Sequence, residues 1–260
     1  MNYDSINEKI RALKSIGKVY SNYFGTPDFS GCEFLTTEKT VLIIKHEYKV
    51  DRLYYYTLDI SDFLECALSS LNQGEYCLDL VTRIPEQFEK EFNAGGFKLI
   101  ARMKRLAVSD ISSVLSADSK VYGYYDKSIG KYADNTDVKT IYDLLWSVFD
   151  TYIGHLPNEA EIEQCIYRKE FTLYCGDNGK LSLLQAIIKP KSFYINQIIN
   201  CNEKQIIHAM LLNRIEQYCA NGGKYAYSWI DESNIASIKF HEKYNFKPDG
   251  LWNIVYKVKI

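Results

Sequence analysis

Asn234, Ser237 and His241 fall close together in the stretch Lys224–Phe246, and between them they can bind a ligand and move a proton. Ser237 and His241 stand at i and i+4, so on a helix they share one row, with Asn234 at its start. An imidazole with an unperturbed pKa near 6.5 can give up a proton at neutral pH. A placed general acid contributes about 10²–10⁴ in rate. His241 is therefore the candidate proton donor, and the plain alternative is a helix histidine with no task. Asn234 either hydrogen-bonds a ligand or caps its helix. His208 and His155 are further candidates, the first at a helix start and the second in the loop Gly154-His155-Leu156-Pro157.

The elements around these residues follow from pattern. Tyr225–Ile230 is aromatic and β-branched, which suits a half-buried strand, and Asp231–Asn234 breaks it. A helix follows and stops near Asn245-Phe246, since Asn tolerates a left-handed cap and Pro248 comes soon after. Trp252–Ile260 is a final strand. Upstream, Ile207, Leu211, Ile215 and Cys219 stack along one face of a helix over Glu203–Ala220, preceded by a strand at Phe193–Asn200. Phe171–Cys175 and Leu181–Lys189 pair as a hairpin across Gly176-Asp177-Asn178-Gly179. Before them come an amphipathic helix carrying Ile141, Leu144, Leu145, Val148 and Phe149, and a second helix over Asn158–Lys169. The opening strand of this half is either Tyr122–Asp126 or Gly130–Ala133.

Asn234, Ser237, Phe240, His241, Glu242, Lys243 and Phe246 resemble the C-terminal signature of the GNAT acyltransferase superfamily, a strand, an Asn, then a helix of the form N-x-x-S/A-x-x-L/F-Y/H-E-K-x-G-F. Here Asn245 replaces the usual Gly, and His241 takes the place most often held by Tyr. The order of elements over 122–260 is also similar to that family. The resemblance implies an N-acyltransferase with acetyl-CoA or another acyl-CoA as donor and an amine of a small molecule or peptide as acceptor. It implies His241 as proton donor to the thiolate, and backbone groups of Gln197, Ile198 and Ile199 as partners of pantetheine. Asn234 and Ser237 would flank the same arm. The family's glycine-rich phosphate turn corresponds to Glu203-Lys204-Gln205-Ile206-Ile207-His208, which has no glycine. There Lys204, Gln205, His208 and the helix N-terminus remain to meet phosphate.

The first half carries a weaker echo. An amphipathic helix with Ile6, Ile10, Leu13 and Ile16 opens the chain, a turn-rich run covers 21–31, and three strands follow at Cys32–Thr36, Thr40–Tyr48 and Arg52–Leu58. A helix to Leu71, a strand Tyr76–Arg83, a short helix Glu86–Asn93 and Gly95-Gly96-Phe97 lead into the strand Lys98–Leu106. That close matches the terminal unit without its Asn and Ser/His row. The predicted fold class is α/β (α+β): two tandem GNAT-like domains, each a mixed, mostly antiparallel sheet flanked by helices. Residues 1–110 form the degenerate first domain, 111–121 a Ser/Asp-rich linker, and 122–260 the second domain.

With 47% apolar and 25% charged residues the composition is ordinary globular, and a net charge near −2 gives no footprint for nucleic acid. No apolar run approaches a membrane span and the N-terminus lacks signal-peptide shape, which predicts a cytoplasmic protein with no membrane partner. Seven scattered cysteines without a C-x-x-C pair predict free thiols and no metal. Oligomeric state stays open, a dimer included. Two other functions fit the same residues: a transferase whose donor is aminoacyl-tRNA or an acyl carrier protein, and a non-catalytic binding protein that keeps the fold.

Overall fold

The computed structural model describes residues 3–23, 31–47, 49–115 and 126–260. Most of the expected turn-rich run at 21–31, the linker beyond 115 and nearly all of Tyr122–Asp126 lie outside the described residues. The first half runs α1 (Tyr3–Ile16), β1 (Tyr20–Ser21), β2 (Cys32–Thr36), β3 (Thr40–Glu47), β4 (Val50–Thr57), α2 (Ile60–Ser70), β5 (Glu75–Thr82), α3 (Pro85–Ala94) and β6 (Lys98–Val108). The second runs β7 (Lys131–Tyr132), a 3₁₀ turn (Asn135–Asp137), α4 (Val138–Val148), α5 (Glu159–Tyr167), β8 (Phe171–Cys175) and β9 (Leu181–Lys189). It continues with β10 (Ser192–Ile199), α6 (Lys204–Ala220), β11 (Ala226–Asp231), α7 (Ile235–Glu242) and β12 (Lys247–Lys259). This is the α/β class with mixed, mostly antiparallel pairing that the pattern predicts.

The chain gathers into two compact units, and neither is one continuous stretch. Unit 1 takes Met1–Arg102, Phe149–His155 and Leu251–Ile260; unit 2 takes Met103–Val148 and Leu156–Gly250. Where the sequence pattern suggests a single cut at 111–121, the packing divides the chain by an exchange of strands. The strand after α3 adds antiparallel to β11, with Met103 opposite Asp231 and Val108 opposite Ala226. The last strand of the chain adds antiparallel to β5, with Trp252 opposite Thr82 and Lys259 opposite Glu75. Both strands can lie beside either partner, and only side-chain packing selects one.

In unit 1, β2, β3 and β4 form an antiparallel meander, and β4 then pairs parallel with β5 over Asp51–Tyr76 and Arg52–Cys77. A parallel pair needs a crossover, which α2 supplies. Its start is fixed by Asp59, whose carboxylate accepts the Ser61 N–H at 3.0 Å. One face of this sheet is sealed by aromatic rings: Tyr55 on Phe63 at 4.4 Å, Phe92 against Phe97 at 5.6 Å, and Phe92 stacked on Tyr256 at 4.6 Å. Unit 2 repeats the plan. β7 to β10 are antiparallel, β10 and β11 are parallel, and α6 is the crossover. Leu106, Phe193, Ile195, Met210, Leu211 and Ile215 form its core. The β8–β9 turn closes through Gly179 at φ +74, a left-handed conformation that glycine adopts without strain.

The placement of the last strand in unit 1 is testable. Tyr256 is 1% exposed and stacks on Phe92, so Tyr256→Ala should cost about 3–5 kcal/mol of unfolding free energy in urea titration. Amide exchange should accelerate along Glu75–Thr82. Acceleration confined to Ala226–Asp231 would place the strand in the other unit.

Candidate active site

The parallel register of β10 and β11 is short. Phe193, Tyr194 and Ile195 face Ala226, Tyr227 and Ser228, and there the recorded pairing stops. The Ser228 hydroxyl donates to the Ile195 carbonyl at 2.9 Å at this point. On its other edge, β10 changes register against β9 between Ile195 and Gln197, a bulge that re-aims the residues beyond it. Gln197 and Ile199 are buried and Ile198 is half-buried. The Gln197 side-chain oxygen lies buried with no hydrogen-bond partner, so an acceptor is left open just past the parting. Such orphans are rare in folded proteins.

After β10, Glu203 stands at the start of α6 without a side-chain cap bond, and its carboxylate takes the Gln205 amide instead. Lys204 and Gln205 are exposed, while Ile206, Ile207 and His208 already belong to the buried face. That explains the absence of glycine here: these side chains fill core. His208 Nδ1 hydrogen-bonds the Tyr244 hydroxyl, and burial, then the charges of Lys243 and Lys204, push its pKa down to about 4.

α7 is capped by Asn234, whose side-chain oxygen accepts the Ser237 N–H at 3.0 Å. The helix ends at Asn245, which takes φ +61 as the left-handed residue. His241 is the single buried residue of α7, 2% exposed, while Ile235 at the same helix's start is 54% exposed. Its ring sits edge-on to Phe240 at 5.3 Å and to Phe246 at 5.4 Å, and Phe240 in turn lies 4.9 Å from His208. His241 Nδ1 is 2.8 Å from the Ser237 carbonyl. A carbonyl only accepts, so Nδ1 carries the proton and Nε2 presents a lone pair. That Nε2 is buried and has no partner. Burial holds the His241 pKa down at about 4, against the opposing Ser237 hydrogen bond, so the ring is neutral at pH 7. It is the serine's backbone carbonyl that fixes the ring.

Of the residues singled out in the sequence, Asn234, Ser237 and His241 come together on one helix, and His208 joins their aromatic surroundings through Phe240 and Tyr244. Gln197, Ile198 and Ile199 lie on the strand past the bulge, and Lys204 and Gln205 on the first turn of the helix that follows it. Sequence reasoning missed Tyr244, because its hydrogen bond to His208 spans 36 residues. No family model matches this chain, and no curated protein matches its sequence. Solved structures do. A tandem GNAT protein from the clavulanic acid biosynthesis pathway, solved without AcCoA, superposes with a TM-score of 0.58 at 10% identity, covering 99% of this chain and 96% of that one. The fold is the GNAT fold.

A GCN5-related N-acetyltransferase from Sphaerobacter thermophilus matches with a TM-score of 0.54 at 9% identity over 85% of this chain and 80% of its own. A functionally unknown protein from Staphylococcus epidermidis ATCC 12228 matches at 0.55 and 10% identity, over 88% and 95%. The tandem GNAT match spans both halves of the chain, so the first half shares the fold even though it lacks the Asn, Ser and His row.

The buried histidines set a pH window. A histidine whose folded pKa lies below its unfolded value of about 6.5 takes its proton first in the unfolded chain, so stability is lost as pH falls. Unfolding free energy should therefore decline between about pH 6.5 and the folded value of about 4 shared by His208 and His241. His241→Gln should flatten part of that decline in a series of denaturant titrations. An unchanged pH slope in the variant would mean that His241 is accessible to protons in the folded state.

Proposed function

We propose that this chain is an acyl-CoA-dependent N-acyltransferase, transferring an acetyl or other acyl group to the amine of a small molecule or peptide, with its active site in unit 2. The observation that carries this reading is a buried, neutral His241 with an open Nε2 lone pair, on the helix that follows the parted strands of a GNAT fold. Gln197, with its own buried open acceptor, supports it. Unit 1 has no counterpart of the Asn234, Ser237 and His241 row, and its sheet face is packed with rings such as Tyr55 and Phe63.

An acyl-CoA thioester supplies an activated acyl group and a thiol leaving group. On the protein side, backbone groups of Gln197–Ile199 and the amide of Asn234 would hold the pantetheine arm. Lys204 and Gln205, with the free N–H groups of the first turn of α6, would meet the phosphates. His241 begins neutral, so it first accepts a proton at Nε2 from the attacking amine and then returns it to the departing sulfur. The amine proton ends on the thiol. Ser237, through its carbonyl, keeps the ring in the tautomer that allows both steps.

Glu203 favours a second reading. A carboxylate at the start of α6 competes with pyrophosphate for the helix N-terminus, as a donor carried on an acyl carrier protein or aminoacyl-tRNA would tolerate. Thermal shift separates the two. Acetyl-CoA at roughly 100 times its Kd should stabilise the fold by about 2.7 kcal/mol, and Lys204→Ala should weaken that shift. His241→Ala should lower kcat more than about tenfold with acetyl-CoA affinity nearly unchanged, because the proton moves only as the transition state is reached. No shift with CoA or any acyl-CoA would remove the first reading in favour of a carrier-borne donor or a non-catalytic role.

A further inference from the structure

We propose that residues 149–155 are held on unit 1 by a proton-dependent latch, in which the imidazolium of His155 seats between the carboxylates of Glu47 and Asp79. The segment is a compact turn: the Asp150 carboxylate accepts the Tyr152 N–H at 2.7 Å, and the Gly154 N–H donates to the Asp150 carbonyl at 2.9 Å. His155 Nε2 lies 3.2 Å from Asp79 and Nδ1 lies 3.6 Å from Glu47. Beneath them Arg52, 0% exposed, sends Nε to Glu47 at 3.1 Å and Nη1 to Asp79 at 3.0 Å. Asn253 donates to the other oxygen of Asp79 at 3.0 Å.

The charges decide the state of the ring. Two carboxylates face the buried guanidinium of Arg52. Lys45, partly exposed, reaches only the outer oxygen of Glu47 at 3.9 Å and does not pair with Asp79, so a protonated His155 adds a cation that meets both carboxylates at once. The seat between two carboxylates favours the imidazolium. Among the other groups on the strands beneath the turn, Tyr54 and Cys77 are held neutral by burial reinforced by Glu47 and Asp79. Asp51 is paired with His46 at 2.8 Å, and Glu75 with Lys257 at 2.9 Å. Tyr152 extends the contact, its hydroxyl donating to Glu75 at 2.6 Å and its ring lying 4.2 Å from the Lys257 ammonium. Half of the His155 side chain remains exposed, so solvent protons reach it. Burial lowers the His155 pKa, but hydrogen bonds to Asp79 and Glu47 outweigh it and leave the pKa raised. Burial likewise opposes the ionised forms of Glu47 and Asp79, yet their partners hold both at about 2, so they stay charged across the range in which His155 titrates.

The sign follows. With its folded pKa raised, His155 contributes its full stabilisation below the ordinary imidazole range and loses it as pH rises through the folded value. Amide exchange of the full chain, corrected for the intrinsic effect of pH on exchange, tests this. Protection of 149–155 should fall by roughly tenfold between about pH 6 and about pH 9 in the native protein. In His155→Gln it should be low at both ends. Proton NMR should show one imidazole signal titrating above the ordinary range and missing from the variant. Protection independent of pH in the native protein overturns the latch, as does a His155 signal that titrates at or below the ordinary value, or a pH dependence that survives in His155→Gln.

Discussion

Two strands that run parallel can pair only if a crossover returns the chain to the same edge, and in this fold they are paired at one end and parted at the other. That constraint governs the rest of each unit. In unit 2 the crossover α6 packs Ile206, Ile207 and Met210 against β9 and β10, which fixes where β11 must begin. The parting after Ile195 and Ser228 then leaves backbone groups that the sheet no longer uses. The bulge at 195–197 follows directly, since a strand released on one side can change register on the other.

The two units meet the same constraint with different chemistry. Unit 1 packs rings on one face of its sheet, Tyr55 on Phe63 and Phe92 between Phe97 and Tyr256. Its buried ion pair joins Arg52 to Asp79, with Glu47 as a second carboxylate on the same guanidinium. Unit 2 buries two histidines among rings and leaves one of them, His241, with an open nitrogen. A packed aromatic face has little left to give a ligand. An unpartnered imidazole is costly to keep.

Local structure was legible because its signals are local. Asn234 caps α7, Asn245 ends it, and Gly176–Gly179 turns the β8–β9 hairpin, each decided by residues within one turn of each other. The helical rows of α1 and α6 were equally plain. What the pattern hid is long-range. β6 and β12 are both alternating antiparallel strands, and nothing in either tells which parallel strand it joins. Within α7 Ala236 is exposed while His241 is buried, and Tyr244, just past the helix end, is buried as well. A histidine reads as polar in any periodicity, so its burial shows only when Phe246 and Phe240 close over it. The nest that holds His155 comes from four strands, with its partners Glu47 and Asp79 and their own partners Arg52 and Asn253 spread along the chain, and no spacing announces them.

The same side chain reaches opposite states in the two units, and the cause is what compensates its burial. His241 meets only rings and one carbonyl, so the charged form has lost water and gained no counter-charge, and the ring stays neutral. His208 loses water and also faces Lys204 and Lys243, which pushes in the same direction. His155 keeps part of its water and gains two carboxylates that face its ring, so its proton is held more tightly than on a free imidazole. A neutral ring with an open lone pair can take up a proton and pass it on. A ring held as the cation between carboxylates has no such freedom and serves to fasten. Burial alone would make all three rings neutral; the carboxylates beside His155 set it apart from the two neutral rings of unit 2, of which His241 alone keeps an open nitrogen.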